Sequence, residues 1–264
     1  MGYYKVREIY PWLHAIRDPM DGAFCYLAVG RERALLFDSC YGAASLSEEI
    51  SRLTSKPFDV VLGHGHLDHA GGAFQFEEAW LREEDFEVCR KHTSEKARRR
   101  MYLDRLADSG IDMPPGFDPE AYAKAPQASL RKLEPGKIFD LGGLTMEVVD
   151  MGGHTAGSIG LLAREPRVLI DSDSACELTW VFLPDSLPLS RYADMLRRVG
   201  SMGFDRFLSG HLDVPRDAAA FAKFLRAALE ATPERARPFA ELSMFGGLVY
   251  GEEGAEVAFN PERL

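Results

Sequence analysis

The sequence predicts a layered α/β fold, and three observations carry that reading. Short aliphatic and β-branched runs alternate along the chain with stretches of helical spacing. Several of these runs stop abruptly at Gly, His or Asp. Polar residues capable of chemistry gather at those stops, where layered α/β proteins commonly build their sites.

Taken in order, the first forty residues read as strands. Phe24–Val29 and Ala34–Asp38, joined by the turn Gly30-Arg31-Glu32-Arg33, predict a hairpin. Residues 45–55 predict a helix, capped by Ser45 or Ser47, with Leu46, Ile50 and Leu53 on one face. Phe58–Leu62 is a short strand of buried type that delivers the chain to Gly63-His64-Gly65-His66-Leu67-Asp68-His69-Ala70-Gly71-Gly72. Ala70 to Trp80 has helical spacing. Residues 82–135 are charged, then helical over 93–108, then turn-rich through Gly110, Pro114-Pro115-Gly116, Pro119 and Pro126. With few apolar anchors, this stretch reads as a mainly helical, cap-like insertion in a single domain covering 1–264. Strands resume at Leu144–Asp150, Arg167–Ile170 and Phe204–Leu208. Helices are expected at 190–200 and 216–231, and a closing hairpin in the last twenty residues.

The formal net charge of −10 argues against a general nucleic-acid binder, which carries a basic face. The basic cluster Lys96-Ala97-Arg98-Arg99-Arg100 reads as a solvated helix face. No run approaches the roughly 18 apolar residues that span a bilayer, and the amino-terminal residues lack the apolar core of a signal peptide. A cytoplasmic protein without membrane association is expected. The four cysteines, Cys25, Cys40, Cys89 and Cys176, form no CxxC pair, so reduced thiols are expected.

Three histidines and one aspartate fall within positions 64–69, in a chain of seven histidines. Neutral imidazole and carboxylate suit zinc-class cations. His64 and His66, two apart, face one ion on an extended turn, and Asp68 and His69 follow to face a second. Gly63 and Gly65 allow tight turning between ligands. Further strand ends carry His154, Asp171 or Asp173, and His211. Strands lying side by side would bring all of these loops to one edge. The absence of cysteine among the candidates favours an open catalytic site over a closed structural zinc. His14 and His92 have no such context and read as strand packing and a helix start. Cys176, Trp180 and Phe182 read as ordinary packing, with pocket lining as the alternative.

HxHxDH after a strand, then Gly-His-Thr, then Asp after a strand, then Gly-His, in that order, resembles the metallo-β-lactamase superfamily. The resemblance runs from Phe37-Asp38 to His211; the 82–135 segment and the tail beyond about 215 are not characteristic. It implies a four-layer αββα sandwich. It also implies that His64, His66 and His154 hold a first metal, that Asp68, His69 and His211 hold a second, and that Asp173 bridges them. Asp173 is preferred to Asp171 because the family strand ends in a small residue and then the aspartate; Ser172-Asp173 stands where Gly-Asp is usual. Gly63 replaces a frequent threonine, and Asp38 matches a support residue rather than a ligand.

Two Zn2+ are the expected cofactors, with Fe or Mn as alternatives. The implied activity is metal-dependent hydrolysis of a small ester, thioester or lactone by a hydroxide activated between two metals. Asp68 or a metal-bound water would protonate the leaving group. The absence of a cysteine ligand is similar to the glyoxalase II and lactonase branches. The alternatives are an iron-dependent redox enzyme of the same fold, or a phosphodiesterase or β-lactamase-type hydrolase. The expected partner is a small-molecule substrate, with neither nucleic acid nor membrane; a homodimer is compatible with this reading.

Overall fold

The computed structural model describes residues 2–20, 22–239 and 247–264, apart from the side chains of 104–109. The chain forms two compact units, one of residues 1–134 and 139–145, the other of 135–138 and 146–264.

In the first unit, β1 (Lys5–Tyr10), β2 (Leu13–Arg17), β3 (Phe24–Val29), β4 (Ala34–Phe37), β5 (Phe58–Val61), β6 (Ala79–Leu81) and β7 (Leu130–Lys132) form one sheet in sequence order. The hairpins through β4 are antiparallel, and β4, β5, β6 and β7 run parallel. The carboxyl ends of β4, β5 and β6 therefore share one edge. Helix α1 (Leu46–Leu53) starts where Ser45 accepts from the Glu48 N–H and buries Leu46 and Ile50, one turn apart. Ile16, Leu27, Leu36, Ile50 and Val60 form the core beneath it. Each side chain of that size contributes about 1.5–3 kcal/mol on burial.

The helix expected over 70–80 is not formed. A single turn, α2 (Leu67–Ala70), lies inside the histidine motif, and residues 79–81 form β6, with Trp80 opposite Val61. The pairing of Trp80 with Val61 takes the end of this stretch into the sheet, and between α2 and β6 only a 3-10 turn forms, over Ala73–Gln75. Gly71 and Gly72 press against neighbouring backbone so closely that a Cβ would sit 2.6 Å from the Tyr41 carbonyl oxygen and 2.3 Å from that of Ser39. The 82–135 segment supplies α3 (Phe86–His92), α4 (Glu95–Ser109), α5 (Pro119–Ala123) and the edge strand β7. Its basic cluster is not uniformly solvated: Arg98 is 1% exposed.

After β8 (Ile138–Asp140), most of which belongs to the first unit, the second unit holds β9 (Thr145–Asp150, from Met146 on), β10 (Ile159–Ala163), β11 (Val168–Ile170), β12 (Leu178–Val181), α6 (Leu189–Gly200), β13 (Arg206–Ser209), β14 (Leu212–Asp217), α7 (Ala218–Glu230), β15 (Arg237–Pro238), β16 (Leu248–Glu252) and β17 (Ala255–Phe259). The sheets run β14-β13-β11-β10-β9-β8 and β12-β17-β16-β15. Because β10 is antiparallel to both β9 and β11, and β11 is parallel to β13, the carboxyl ends of β9, β11 and β13 share an edge. Helix α7, capped by Asp217 on the Ala219 N–H, buries Phe221 and Phe224 against Phe207 of β13 in edge-to-face contacts. The expected closing hairpin is β16–β17. All four cysteines are buried, and none forms a disulfide among the described residues. Among the described residues, no helix is long and apolar enough to cross a membrane.

Candidate metal centre

In the first unit, the carboxyl ends of β4, β5 and β6 deliver Asp38, residues 63–69 and Asp85 to one edge. His64, His66 and His69 are buried, and the Asp68 side chain is 20% exposed. Asp38 takes a left-handed backbone conformation (φ 66°), which Asp tolerates better than most residues. From there its carboxylate accepts from the Gly63 N–H at 2.6 Å and from His69 Nδ1 at 2.9 Å. The Ser39 hydroxyl donates to the His69 carbonyl at 2.8 Å. The Asp85 carboxylate accepts from the Gly65 N–H at 2.8 Å, and a Cβ on Gly65 would lie 2.6 Å from Cys89 N. The glycine between His64 and His66 is thus required by the close approach of α3.

In the second unit, His154 follows β9, Asp173 follows β11 and His211 follows β13. The His154 Nδ1 donates to the Trp180 carbonyl at 2.7 Å, and Ser186 donates to the His154 carbonyl at 2.7 Å. Gly153 leaves room for Tyr192, whose ring carbon would be 2.4 Å from a Cβ there. Asp173 Oδ2 lies 3.7 Å from His154 Nε2 and 3.4 Å from His211 Nε2. Asp171 is fully buried, and burial pushes its carboxyl well above the usual carboxylate range. It is Asp173, rather than Asp171, that lies close to the imidazoles. Ser172 adopts φ 50°, a left-handed conformation that explains why glycine is usual there.

The donor set fits zinc-class cations. With Nδ1 of His69 and of His154 engaged by Asp38 and Trp180, the Nε2 atoms are left as the candidate ligand atoms, the arrangement in which a partner on the far nitrogen fixes tautomer and orientation. Spacing gives the second test. Two donors on one tetrahedral zinc at about 2.0–2.1 Å are about 3.3 Å apart. The pairs His64 Nε2–His66 Nδ1, Asp68 Oδ2–His69 Nε2 and Asp173 Oδ2–His211 Nε2 lie at 3.1, 3.3 and 3.4 Å.

Three supports were not visible in the sequence. Trp180 acts through its backbone carbonyl, which no residue type encodes. Asp85 sits in the acidic run Arg82-Glu83-Glu84-Asp85, where Glu83 and Glu84 are exposed and Asp85 is buried. Arg98 sits in a run that looks solvated. His92, read as a helix start, ends α3 with its ring 4.6 Å from that of His66.

The profile of the metallo-beta-lactamase superfamily matches residues 19–213. The acyl-coenzyme A thioesterase MBLAC2 of Gallus gallus is 27% identical over 180 residues, which cover 64% of this chain and 62% of that protein. The hydroxyacylglutathione hydrolase GloC of Haemophilus influenzae is 26% identical over 147 residues, covering 54% of this chain and 61% of that protein. The chain thus spans about three-fifths of the length of these curated relatives. A metallo-beta-lactamase family protein of Thermus thermophilus shares the fold, with a TM-score of 0.62 at 21% identity over 83% of this chain and 79% of that one. The ordered ligand motif, the donor spacing and the profile match agree: the chain belongs to the metallo-beta-lactamase superfamily.

Proposed function

We propose that the chain is a metal-dependent hydrolase that cleaves a small thioester, ester or lactone at a two-metal centre. His64, His66 and His154 would hold one ion and Asp68, His69 and His211 the other, with Asp173 shared. The observation that carries this reading is the position of Asp173 Oδ2, within 4 Å of the Nε2 of both His154 and His211. A carboxylate oxygen facing one ligand from each set is what a bridging role requires. Zinc-class cations bound there would supply Lewis acidity and a water of lowered pKa.

The chain's own residues do the rest. Asp38 and the Trp180 carbonyl keep His69 and His154 in the ligating tautomer. Asp68, the most accessible donor of the 64–69 stretch, takes a proton from the attacking water and passes it to the leaving group. Burial of His64, His66 and His69 excludes bulk water from the donor side of the centre. The thioester class is favoured because two differently named relatives, an acyl-coenzyme A thioesterase and a hydroxyacylglutathione hydrolase, act on thioesters.

The test is a panel of acyl-coenzyme A thioesters, hydroxyacylglutathione, lactones, β-lactams and phosphodiesters, offered to zinc-loaded and chelator-stripped protein. Hydrolysis of a thioester, ester or lactone that disappears on stripping and returns with zinc is expected. Full activity in the stripped protein, or turnover confined to phosphodiesters or β-lactams, would overturn the proposal.

A further inference from the structure

Arg98 is 1% exposed, yet no carboxylate pairs with it among the described residues. Its Nη2 donates to the Gly71 carbonyl at 2.7 Å and its Nε to the Thr93 carbonyl at 3.0 Å. The guanidinium lies over the rings of Phe74 and Tyr122, 4.9 and 5.1 Å from their centroids. The Tyr122 hydroxyl in turn donates to the Tyr41 carbonyl at 3.0 Å. A buried charge without a counter-charge is costly, and a well-packed apolar side chain of similar volume is often as stable or more so. Packing alone therefore does not account for an arginine here.

What Arg98 holds is specific. Gly71 caps α2, the four-residue turn that carries Asp68 and His69. One helical turn is unstable by itself, because several backbone dihedrals are fixed for a single hydrogen bond. A cation on its last carbonyl opposes unwinding through both the hydrogen bond and the helix dipole. Asp85 does the corresponding job at the other end, accepting from the Gly65 N–H between His64 and His66 while being fully buried itself. Both residues are shielded from solvent, so neither is placed to touch substrate.

We propose that Asp85 and Arg98 are positioning residues that brace the two ends of the 64–69 ligand stretch, Asp85 for the His64–His66 ion and Arg98 for the Asp68–His69 ion. The segment 82–98 is then a structural brace of the metal loop. This inference rests on the two-ion reading above.

The test is stepwise metal affinity, measured by competition with a chromophoric chelator and by the d–d absorption of the cobalt-substituted protein. His154→Ala and His211→Ala each remove one ion and assign the two steps. Asp85→Ala is expected to weaken the first ion by about 10–100-fold and to leave the second unchanged; Arg98→Met is expected to do the reverse. A loss confined to one ion is a signature that general destabilisation does not give. Asp85→Leu and Arg98→Leu, apolar side chains that likewise remove the hydrogen bonds to Gly65 and Gly71, carry the same test where the first variants do not fold. Unchanged affinities, or equal loss of both ions in each variant, would overturn the brace. A parent chain that binds no ion would overturn the two-ion reading and this inference with it; a parent that binds two while the variants show no selectivity overturns the brace alone.

Discussion

The two units present their candidate metal donors in opposite ways. The first offers four donors from six consecutive residues, and three of them are buried histidines supported by Asp38, Ser39, Asp85 and Arg98. The second offers three donors from three separate strand ends, and its His211 side chain is 34% exposed. In the first unit the donors follow one another in the chain and are held by hydrogen bonds from Asp38, Ser39 and Asp85; in the second the order of β9, β11 and β13 in a sheet gathers them, with hydrogen bonds to Trp180 and Ser186 holding His154. Equivalent ligands can thus differ greatly in how strongly the fold depends on them.

The largest expected effect concerns the donor common to both ligand sets. Asp173→Ala should lower kcat/KM for the identified substrate by about 10²–10³-fold and reduce bound metal, since an electrostatic contributor to a transition state is commonly worth that much. Steady-state kinetics together with elemental analysis would check this. Next, His69→Ala and His211→Ala should both remove the second ion but differ in stability. His69→Ala leaves the Asp38 carboxylate buried without its imidazole and should cost about 3 kcal/mol. His211→Ala, at an exposed position, should cost less than about 0.5 kcal/mol. Chemical denaturation of the metal-free variants measures the difference, and equal losses would break the contrast between the units. Asp38→Asn should weaken the second ion by about 10–100-fold through its hold on His69, measurable by chelator competition. The smallest effect is expected at Ser172. Ser172→Gly relieves a left-handed serine and should stabilise the fold by about 1 kcal/mol, or a rise in Tm of about 2–4 °C, with metal content unchanged.

The same contrast shows how much was legible from sequence. The 64–69 stretch could be read because its candidate ligands are neighbours in the chain. His154, Asp173 and His211 could be read because each follows an apolar run, and a strand end is a place the sequence marks. Arg98 could not be read. Within Lys96-Ala97-Arg98-Arg99-Arg100 nothing separates the buried arginine from its exposed neighbour Arg100; what buries it are Phe74 and Tyr122, 24 residues away on either side. Strand β6 was hidden for a similar reason. Helical spacing over 70–80 is a local signal, whereas the pairing of Trp80 with Val61 and the tight seats of Gly71 and Gly72 are tertiary. The Trp180 carbonyl that orients His154 carries no side-chain signal at all.

The most direct measurement is the zinc content of the purified chain after reconstitution and removal of excess metal. Two zinc ions per chain are expected, falling to one in His154→Ala and to one in His211→Ala. A parent chain that retains no zinc, or a single ion insensitive to His154→Ala and His211→Ala alike, would contradict a two-metal centre built from these residues.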